Sequence, residues 1–156
     1  MFTHQPAILQ VMSTGVSNYP LPVPSTIMIY DPDLDLVDMI CLALEMENFV
    51  TFGICDGNAD FLQLIQIVKP DLLLFGFTLT GKYSIAWCRA IKLLYPHLPI
   101  LALSCNNNIG EVYSDCGFDD CISKPFNLEE LYASVKKHAA CCDLTIDIIQ
   151  PLLSAG

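Results

Sequence analysis

The sequence predicts an α/β domain built on a doubly wound, five-stranded parallel sheet, and three observations point to that fold class. Five short apolar runs alternate with helical patterns along the chain, which is the order expected of repeated strand–helix units. These runs are continuously apolar, as they are in a parallel sheet that is covered on both faces. The chain has 156 residues with 53% hydrophobic content, which suffices for one domain with a substantial core.

The strands are predicted at apolar runs that lie between polar or turn-forming residues. They cover residues 26–30, 50–54, 71–75, 99–103 and 120–123. Units of this kind join parallel strands by right-handed crossovers, so helices are expected on both faces of the sheet.

A helix is predicted after each strand, mostly because apolar side chains recur there with the spacing of one helical face. The third helix is expected over residues 83–95, and a short polar fourth helix extends to about Cys116. Asn127 and Glu130 have the spacing of a capping box, which marks the first turn of the fifth helix. The residues expected to face the core are Val37, Ile40, Cys41, Leu44, Phe61, Leu64, Ile65, Val68, Trp87, Ile91, Leu94, Leu128, Leu131 and Val135.

Two segments flank the predicted domain. Residues 1–25 contain four prolines and little periodicity, so we expect a flexible N-terminal arm. Residues 26–139 hold all five strand–helix units and form the domain. Residues 140–156 mix strand-like and helix-like spacing, so the sequence leaves the order of this C-terminal tail open.

The charge of the chain restricts its partners. The formal net charge is −10, only seven Lys and Arg residues are present, and the first of them is Lys69. Direct binding to nucleic acid requires basic side chains that neutralise phosphates, so protein partners or cations are expected instead. No apolar stretch approaches the roughly 18 residues that cross a bilayer, and no basic leader is present, so we expect a cytoplasmic protein without a membrane association.

Polar residues and a glycine follow four of the predicted strands. Asp31 follows the first strand, Gly76 the third, Ser104 the fourth and Lys124 the fifth. Because the carboxyl ends of parallel strands meet at one edge of a sheet, a carboxylate, a hydroxyl and an ammonium group are expected to converge there. Such a set suits a cation beside a phosphate-like anion.

Two stretches give the chain its resemblance to a known family. Residues 117–126 read GFDDCISKPF, and residues 69–74 read KPDLLL. Together with the order of elements from Thr26 to His138, they resemble the receiver domains of response regulators. The resemblance implies a flavodoxin-like (βα)5 fold and a role in two-component signal transduction rather than an enzymatic activity.

The resemblance also assigns roles to the strand-end residues. In the family, two acidic residues after the first strand bind Mg²⁺, and an aspartate ending the third strand receives a phosphoryl group from a histidine kinase. A hydroxyl on the fourth strand and a lysine after the fifth contact that phosphoryl group. Asp31, Ser104 and Lys124 match this pattern. Pro32 replaces the second acid, and Gly76 stands at the acceptor position.

Glycine has no side chain on which an acyl phosphate could form, so we interpret the chain as an atypical receiver, a pseudo-receiver. Mg²⁺ loses two carboxylates, so at most a weak site at Asp31 is left and no cofactor is expected. Asp33 is expected to cap the first helix, and Lys124 to form an ion pair with Asp31. The predicted vestigial phosphorylation pocket consists of Asp31, Asp33, Gly76, Thr78, Ser104 and Lys124.

These features favour a signalling module that acts through a protein partner without phosphorylation, with a homodimer as one such arrangement. Family members often bind partners through the surface formed by the fourth helix, the fifth strand and the fifth helix. Here those elements are expected to contribute Tyr113, Cys121, Tyr132 and Lys136, and Cys121 replaces a residue that is usually aromatic in the family. The acidic first helix is a second candidate surface.

Two alternatives concern phosphate chemistry. Another carboxylate, such as Asp31 or Asp33, could replace the lost acceptor in a receiver that is still phosphorylated. Residues 76–82 also fit the G-x-x-x-x-G-K pattern of a nucleotide-binding P-loop. Tyr83 then occupies the position at which Mg²⁺ requires Ser or Thr, which makes the P-loop the weaker alternative.

A further alternative is a thiol-based redox or metal sensor. The chain has eight cysteines, including the adjacent pair Cys141 and Cys142 near His138. Vicinal thiols beside basic residues can have a lowered pKa and respond to oxidants. Buried cysteines that act as small apolar side chains are the commoner case.

Overall fold

The computed structural model describes residues 23–77, 82–106 and 109–139 of the chain. Strands and helices alternate through these residues, as the sequence predicts. The strands are β1 (Thr26–Tyr30), β2 (Val50–Ile54), β3 (Leu72–Phe77), β4 (Ile100–Ser104) and β5 (Asp120–Ser123). The helices are α1 (Leu34–Met46), α2 (Phe61–Val68), α3 (Lys82–Leu94), α4 (Ile109–Val112) and α5 (Leu128–Ala139).

The described strands form one sheet in the order β2-β1-β3-β4-β5, and every neighbouring pair is parallel. The predicted doubly wound (βα)5 architecture is therefore confirmed. The strand order reverses between β1 and β3, because β2 is added on one side of β1 and the later strands on the other. The residues that follow β1 and β3 are therefore neighbours at the switch point, where ligands bind in such folds. No helix among the described residues is long and apolar enough to cross a membrane.

Strand β3 extends further than its apolar run predicts. Gly76 and Phe77 still pair with Leu103 and Ser104 of β4, so the strand ends at Phe77. Apolar sequence marks where side chains are buried, whereas the end of a strand depends on backbone pairing with its neighbour. Gly76 consequently lies within the strand and not in the loop after it.

Each face of the sheet is covered by its own set of helices. On one face, α1 and α5 bury aliphatic side chains such as Ile40 and Leu131. On the other face, the core near α2 and α3 includes an aromatic group. Phe61 is 4.9 Å from Tyr30 and from Phe75, and 5.0 Å from Trp87, between ring centroids. Trp87 is therefore a core residue, as expected from its helical spacing.

The helices begin where the capping residues predict. Asp33 accepts a hydrogen bond from the Leu36 N–H at the start of α1. At α5, the Asn127 side chain accepts from the Glu130 N–H at 2.8 Å, and the Glu130 carboxylate accepts from the Asn127 N–H at 3.3 Å. Both predicted caps are confirmed, and each typically stabilises its helix by about 1 kcal/mol.

Two residues predicted to face the core are exposed instead. Leu94 is the last residue of α3, and Leu128 is the first residue of α5. Helical spacing assigns both to the apolar stripe, but the ends of a helix extend past the sheet that the stripe covers. The prediction is therefore wrong for these two terminal positions.

Candidate functional site

The carboxyl edge of the sheet brings together the side chains that the sequence placed at the strand ends. Asp31 directly follows β1, and Lys124 directly follows β5. Gly76 lies one residue before the end of β3, and Ser104 ends β4. Since all five strands run the same way, these positions share one edge, where ligands bind in folds of this type.

Asp31 and Lys124 form an ion pair at this edge. The ammonium group of Lys124 donates to Oδ2 of Asp31, as the sequence predicted. The other carboxylate oxygen, Oδ1, accepts the backbone N–H of Asp33 at 3.0 Å. Asp31 is only 2% exposed, and a buried carboxylate is costly unless its oxygens have partners. Both oxygens of Asp31 have such partners within the protein.

The space next to Gly76 is filled by the same carboxylate. A Cβ atom on Gly76 would lie 2.8 Å from Oδ2 of Asp31 and 3.1 Å from the carbonyl oxygen of Tyr30. Gly76 continues the extended backbone of β3, so its conformation is open to any residue. Glycine is required here by the close approach of Asp31 rather than by the backbone.

Two buried serines fix the backbone around the pocket. The Ser104 hydroxyl accepts the N–H of Asn106 at 3.0 Å, and its carbonyl accepts the N–H of Lys124 at 2.7 Å. The hydroxyl of Ser84, in the first turn of α3, donates to the carbonyl oxygen of Gly76 at 2.7 Å. The sequence does not predict this bond, because a contact between residues eight apart has no periodic signal.

The predicted pocket residues differ in how closely they are grouped. Asp31, Gly76 and Lys124 are in direct contact, and Ser104 adjoins them through the backbone of Lys124. Asp33 is exposed and directs its carboxylate to the first turn of α1, away from the ion pair. Thr78, the sixth predicted residue, lies outside the described residues.

The pocket does not fit a Mg²⁺ ion. Such an ion is held by one or two carboxylates together with phosphate oxygens and water. Among the described residues, Asp31 is the carboxylate that contacts both Lys124 and the space beside Gly76, whereas Asp33 caps α1. The Asp31 carboxylate is already neutralised by Lys124. In the described part of the chain, no group of three or more His, Cys, Asp or Glu side chains is arranged to hold a metal.

Comparisons with known proteins place this geometry in a family. The model of the response regulator receiver domain matches residues 27–136. This chain belongs to the response regulator receiver family. The receiver has the five-stranded parallel sheet of its family.

Solved structures agree with this assignment. A protein assigned as a response regulator from Chloroflexus aurantiacus J-10-fl is 28% identical, with a TM-score of 0.67, over 76% of this chain and 99% of that one. The receiver domain of NtrX from Brucella abortus is 25% identical, with a TM-score of 0.66, over 74% of this chain and 98% of that one. The chemotaxis protein CheY4 of Vibrio cholerae is 18% identical, with a TM-score of 0.65, over 74% of this chain and 99% of that one, and supports the fold alone.

The four residues of the predicted partner surface contact two different parts of the receiver. Tyr113 and Cys121 pack against the core on the α2 and α3 face. The Tyr132 hydroxyl instead donates to the carbonyl oxygen of Ala43 in α1. Lys136 also turns to α1, where its ammonium group lies 2.5 Å from the carboxylate of Glu47.

Tyr132 and Lys136 thus lie on the α1 side of α5, and a partner surface that includes all four residues stays a prediction. Successive residues of a helix are separated by about 100°, and the two that contact α1 lie on the side of α5 away from β5. Lys137, the next residue, lies on the β5 side, because its ammonium group is 2.9 Å from the Asp120 carboxylate. Sequence reasoning missed Lys137, since spacing alone does not tell which flank of a helix faces which neighbour.

Three of the described cysteines, Cys41, Cys88 and Cys121, do not have the environment of a reactive thiol. Burial raises the pKa of the Cys88 thiol to about 12, and it also raises the pKa of Cys41 and Cys121. A redox-sensing thiol requires the opposite shift, because the thiolate is the reactive form. Cys141 and Cys142, on which the thiol alternative mainly rests, lie outside the described residues.

The P-loop alternative gains no support from the described part of its pattern. Lys82 and Tyr83 are exposed in the first turn of α3. The nearest hydroxyl, that of Ser84, is buried and donates to the carbonyl oxygen of Gly76. It is therefore engaged in holding α3 on β3. Residues 78–81, which would form the loop itself, lie outside the described residues.

Proposed function

We propose that this receiver signals without being phosphorylated and acts through contacts with other proteins. One observation carries the proposal: the Asp31 carboxylate, bound to Lys124, occupies the space beside Gly76 where the family has its acceptor side chain. The ion pair thus stands where an acceptor side chain would begin, which supports a receiver that is not phosphorylated.

The chemistry of the pocket supports this proposal. An acyl phosphate forms when a carboxylate oxygen attacks phosphorus, and Gly76 supplies no such oxygen. Attack also needs an exposed nucleophile in line with the leaving group. Asp31 is buried, and both of its oxygens are hydrogen-bonded, so it lacks that access. Asp33 is exposed, but its carboxylate caps α1 and is not part of the ion pair between Lys124 and Asp31.

The ion pair also supports a pocket that stays in one conformation. Removing one partner of a buried pair costs about 3–5 kcal/mol, because the other charge is left without compensation. An incoming phosphoryl group would have to compete with Asp31 for the ammonium group of Lys124. Asp31 would then lose its partner in a buried position, which opposes the exchange.

The acidic surface of the receiver favours proteins as the molecules that it contacts. The chain carries a formal net charge of −10, and three carboxylates of α1, those of Asp35, Asp38 and Glu45, are exposed. Such a surface repels nucleic acid and attracts basic protein surfaces. We therefore place the output of this receiver in protein–protein contacts.

Amide chemical shifts test this proposal at the level of single residues. The ¹⁵N-labelled protein is titrated with Mg²⁺ and beryllofluoride, a mimic of the phosphoryl group. We expect no saturable shift at Asp31, Gly76, Ser104 or Lys124, with the amide of Leu93, a residue on the exposed side of α3, as the reference for non-specific effects. Saturable shifts at those four residues would overturn the proposal. Repeating the titration with Asp31→Asn and Asp33→Asn would then identify the carboxylate that replaced the acceptor.

A further inference from the structure

The two end strands of the sheet differ in how their open edges are protected. β5 begins with Asp120, whose carboxylate lies 2.9 Å from Lys137 and 3.5 Å from His138. Charges at an edge strand prevent another strand from pairing with it. The other end strand, β2, has the sequence VTFGI, with no charged residue and no proline. In the part of the chain that the structure describes, this edge therefore lacks the protection that a charge or a proline gives.

Apolar side chains are also exposed around β2. Val50 is 47% exposed and Phe52 is 39% exposed. Twelve large apolar side chains are exposed among the described residues, and six of them fall between Leu34 and Phe52. Exposed apolar area is thus concentrated at the β2 end of the sheet, and patches of this kind mark interaction surfaces.

The backbone of β2 has a definite pattern of used and open hydrogen-bonding groups. The N–H of Val50 donates to Ser25 at 3.0 Å, and the carbonyl of Ile54 accepts from Asp31 at 3.2 Å, so these residues face β1. Residues of a strand direct their backbone groups alternately to the two edges. Thr51 and Gly53 therefore direct an N–H and a carbonyl each to the open edge.

We propose that a second copy of this chain pairs with the open edge of β2 in antiparallel orientation, with the two-fold axis at Phe52. In that register Thr51 of each copy lies opposite Gly53 of the other, and each such pair exchanges two hydrogen bonds. The two Phe52 residues then form the close, non-hydrogen-bonded pair, with Cα atoms about 4.5 Å apart. The pairing makes one continuous sheet across both copies.

The self-complementarity of the β2 edge favours a second copy as the occupant. The same two residues supply the donors and the acceptors, so the edge matches itself without a change of register. The edge is neutral, and neutral strands can meet although each chain carries a net charge of −10. The nearest carboxylate on α1, that of Glu45, accepts a hydrogen bond from the Thr51 hydroxyl at 2.5 Å. Repulsion between the two acidic chains is then the main opposing force, and salt screens it.

Sedimentation analysis of the full chain over a range of concentrations tests this dimer. We expect the mass to double as concentration rises, and we expect the dimer to be stronger in about 1 M than in about 0.1 M NaCl. Phe52→Lys should raise the dimer dissociation constant by at least about tenfold. The matched control is Leu93→Lys, at an 83% exposed position on α3, which should leave the dissociation constant unchanged. Thermal unfolding of both variants confirms that they remain folded.

The hydrogen-exchange rates of backbone amides give a second test of the dimer. Their dependence on protein concentration would be absent if Phe52 had only a structural role within one chain. The amides of Thr51 and Gly53 should exchange more slowly as protein concentration rises, while that of Leu93 should not. A chain that stays monomeric under all these conditions would overturn the proposal, as would a dimer that Phe52→Lys does not weaken. Either result leaves the proposed function of the pocket untouched, because the described contacts of the pocket do not include Thr51, Phe52 or Gly53.

Discussion

Oδ2 of Asp31 lies 2.8 Å from the point at which Gly76 would carry a Cβ atom. Any other residue at position 76 must therefore move the Asp31 carboxylate, and with it the ion pair to Lys124. The glycine at position 76 and the inward position of Asp31 therefore belong together. In this receiver an internal salt bridge joins the residues that follow β1 and β5.

Gly76→Ala should destabilise the protein by about 1–3 kcal/mol, because the added methyl group overpacks a filled site. The matched control is Gly110→Ala, since a Cβ atom there meets nothing within 4 Å. Urea unfolding of the two variants measures the difference. Equal stability of both variants would show that the Asp31 carboxylate moves away from Gly76 without cost.

Lys124→Met should lower the free energy of unfolding by roughly 2–4 kcal/mol, somewhat less than for a fully buried pair because Lys124 is partly exposed. Asp31 would then be a buried charge without a partner. Adding Asp31→Asn to Lys124→Met should restore part of the loss, since the unpaired charge disappears. A double variant whose loss equals the sum of the two single losses would contradict a direct interaction between these residues.

Ser84→Ala should cost about 1–2 kcal/mol, because the Gly76 carbonyl loses its buried hydrogen-bond donor. Ser114→Ala, at an exposed position, serves as the control and should stay within about 0.5 kcal/mol of the parent protein. Chemical unfolding measures both. A Ser84→Ala variant as stable as its control would mean that this bond does not hold α3 on β3.

The ion pair at β5 should make stability depend on pH in the acid range. Burial by itself raises the pKa of Asp120, but hydrogen bonds from Lys137 and the Cys121 N–H, with the charge of Lys137, lower it below the ordinary 3.8. A carboxyl group with a lowered folded-state pKa stabilises the protein fully above its unfolded pKa, and this contribution is lost as the pH falls through the folded value.

The difference in unfolding free energy between the parent protein and Asp120→Asn should therefore be constant near neutral pH and shrink below about pH 4. Glu129→Gln, in the exposed first turn of α5, controls for the general effect of removing a carboxylate. A difference that grows as the pH falls would contradict the lowered pKa of Asp120.

Cys88 should resist alkylation by iodoacetamide at neutral pH in the folded protein, since its thiol is buried and has a pKa of about 12. Cys105 is exposed and serves as the internal reference that reacts under the same conditions. Peptide mapping of the modified protein before and after denaturation measures both sites. Rapid labelling of Cys88 in the native state would revive the thiol-sensor alternative.

Local patterns in the sequence were sufficient to predict most of the fold. Continuous apolar runs marked all five strands, and the caps at Asp33 and Asn127 marked two helix starts. The ion pair of Asp31 and Lys124 also followed from the sequence, because strand order brings the ends of β1 and β5 to one edge of the sheet. These features depend on spacing along the chain or on topology alone.

Other features depend on distances that spacing does not encode. The approach of Asp31 to Gly76 needs the packing of β1 on β3 at the scale of one atom. The direction in which Tyr132 and Lys136 turn depends on the rotation of α5 about its own axis against α1. The hydrogen bond from Ser84 to Gly76 likewise joins α3 to β3, and no periodic pattern in the sequence predicts that contact.

The most direct test of the account is the intact mass of the protein after incubation with Mg²⁺ and acetyl phosphate. A receiver with an ordinary acceptor aspartate, treated in the same way, shows that the phosphodonor is active. We predict no added phosphoryl mass on this chain, because Gly76 offers no carboxylate and Asp31 is held by Lys124. A stoichiometric adduct that is labile in base, and that Asp31→Asn or Asp33→Asn abolishes, would contradict the account and make this receiver a phosphorylated switch.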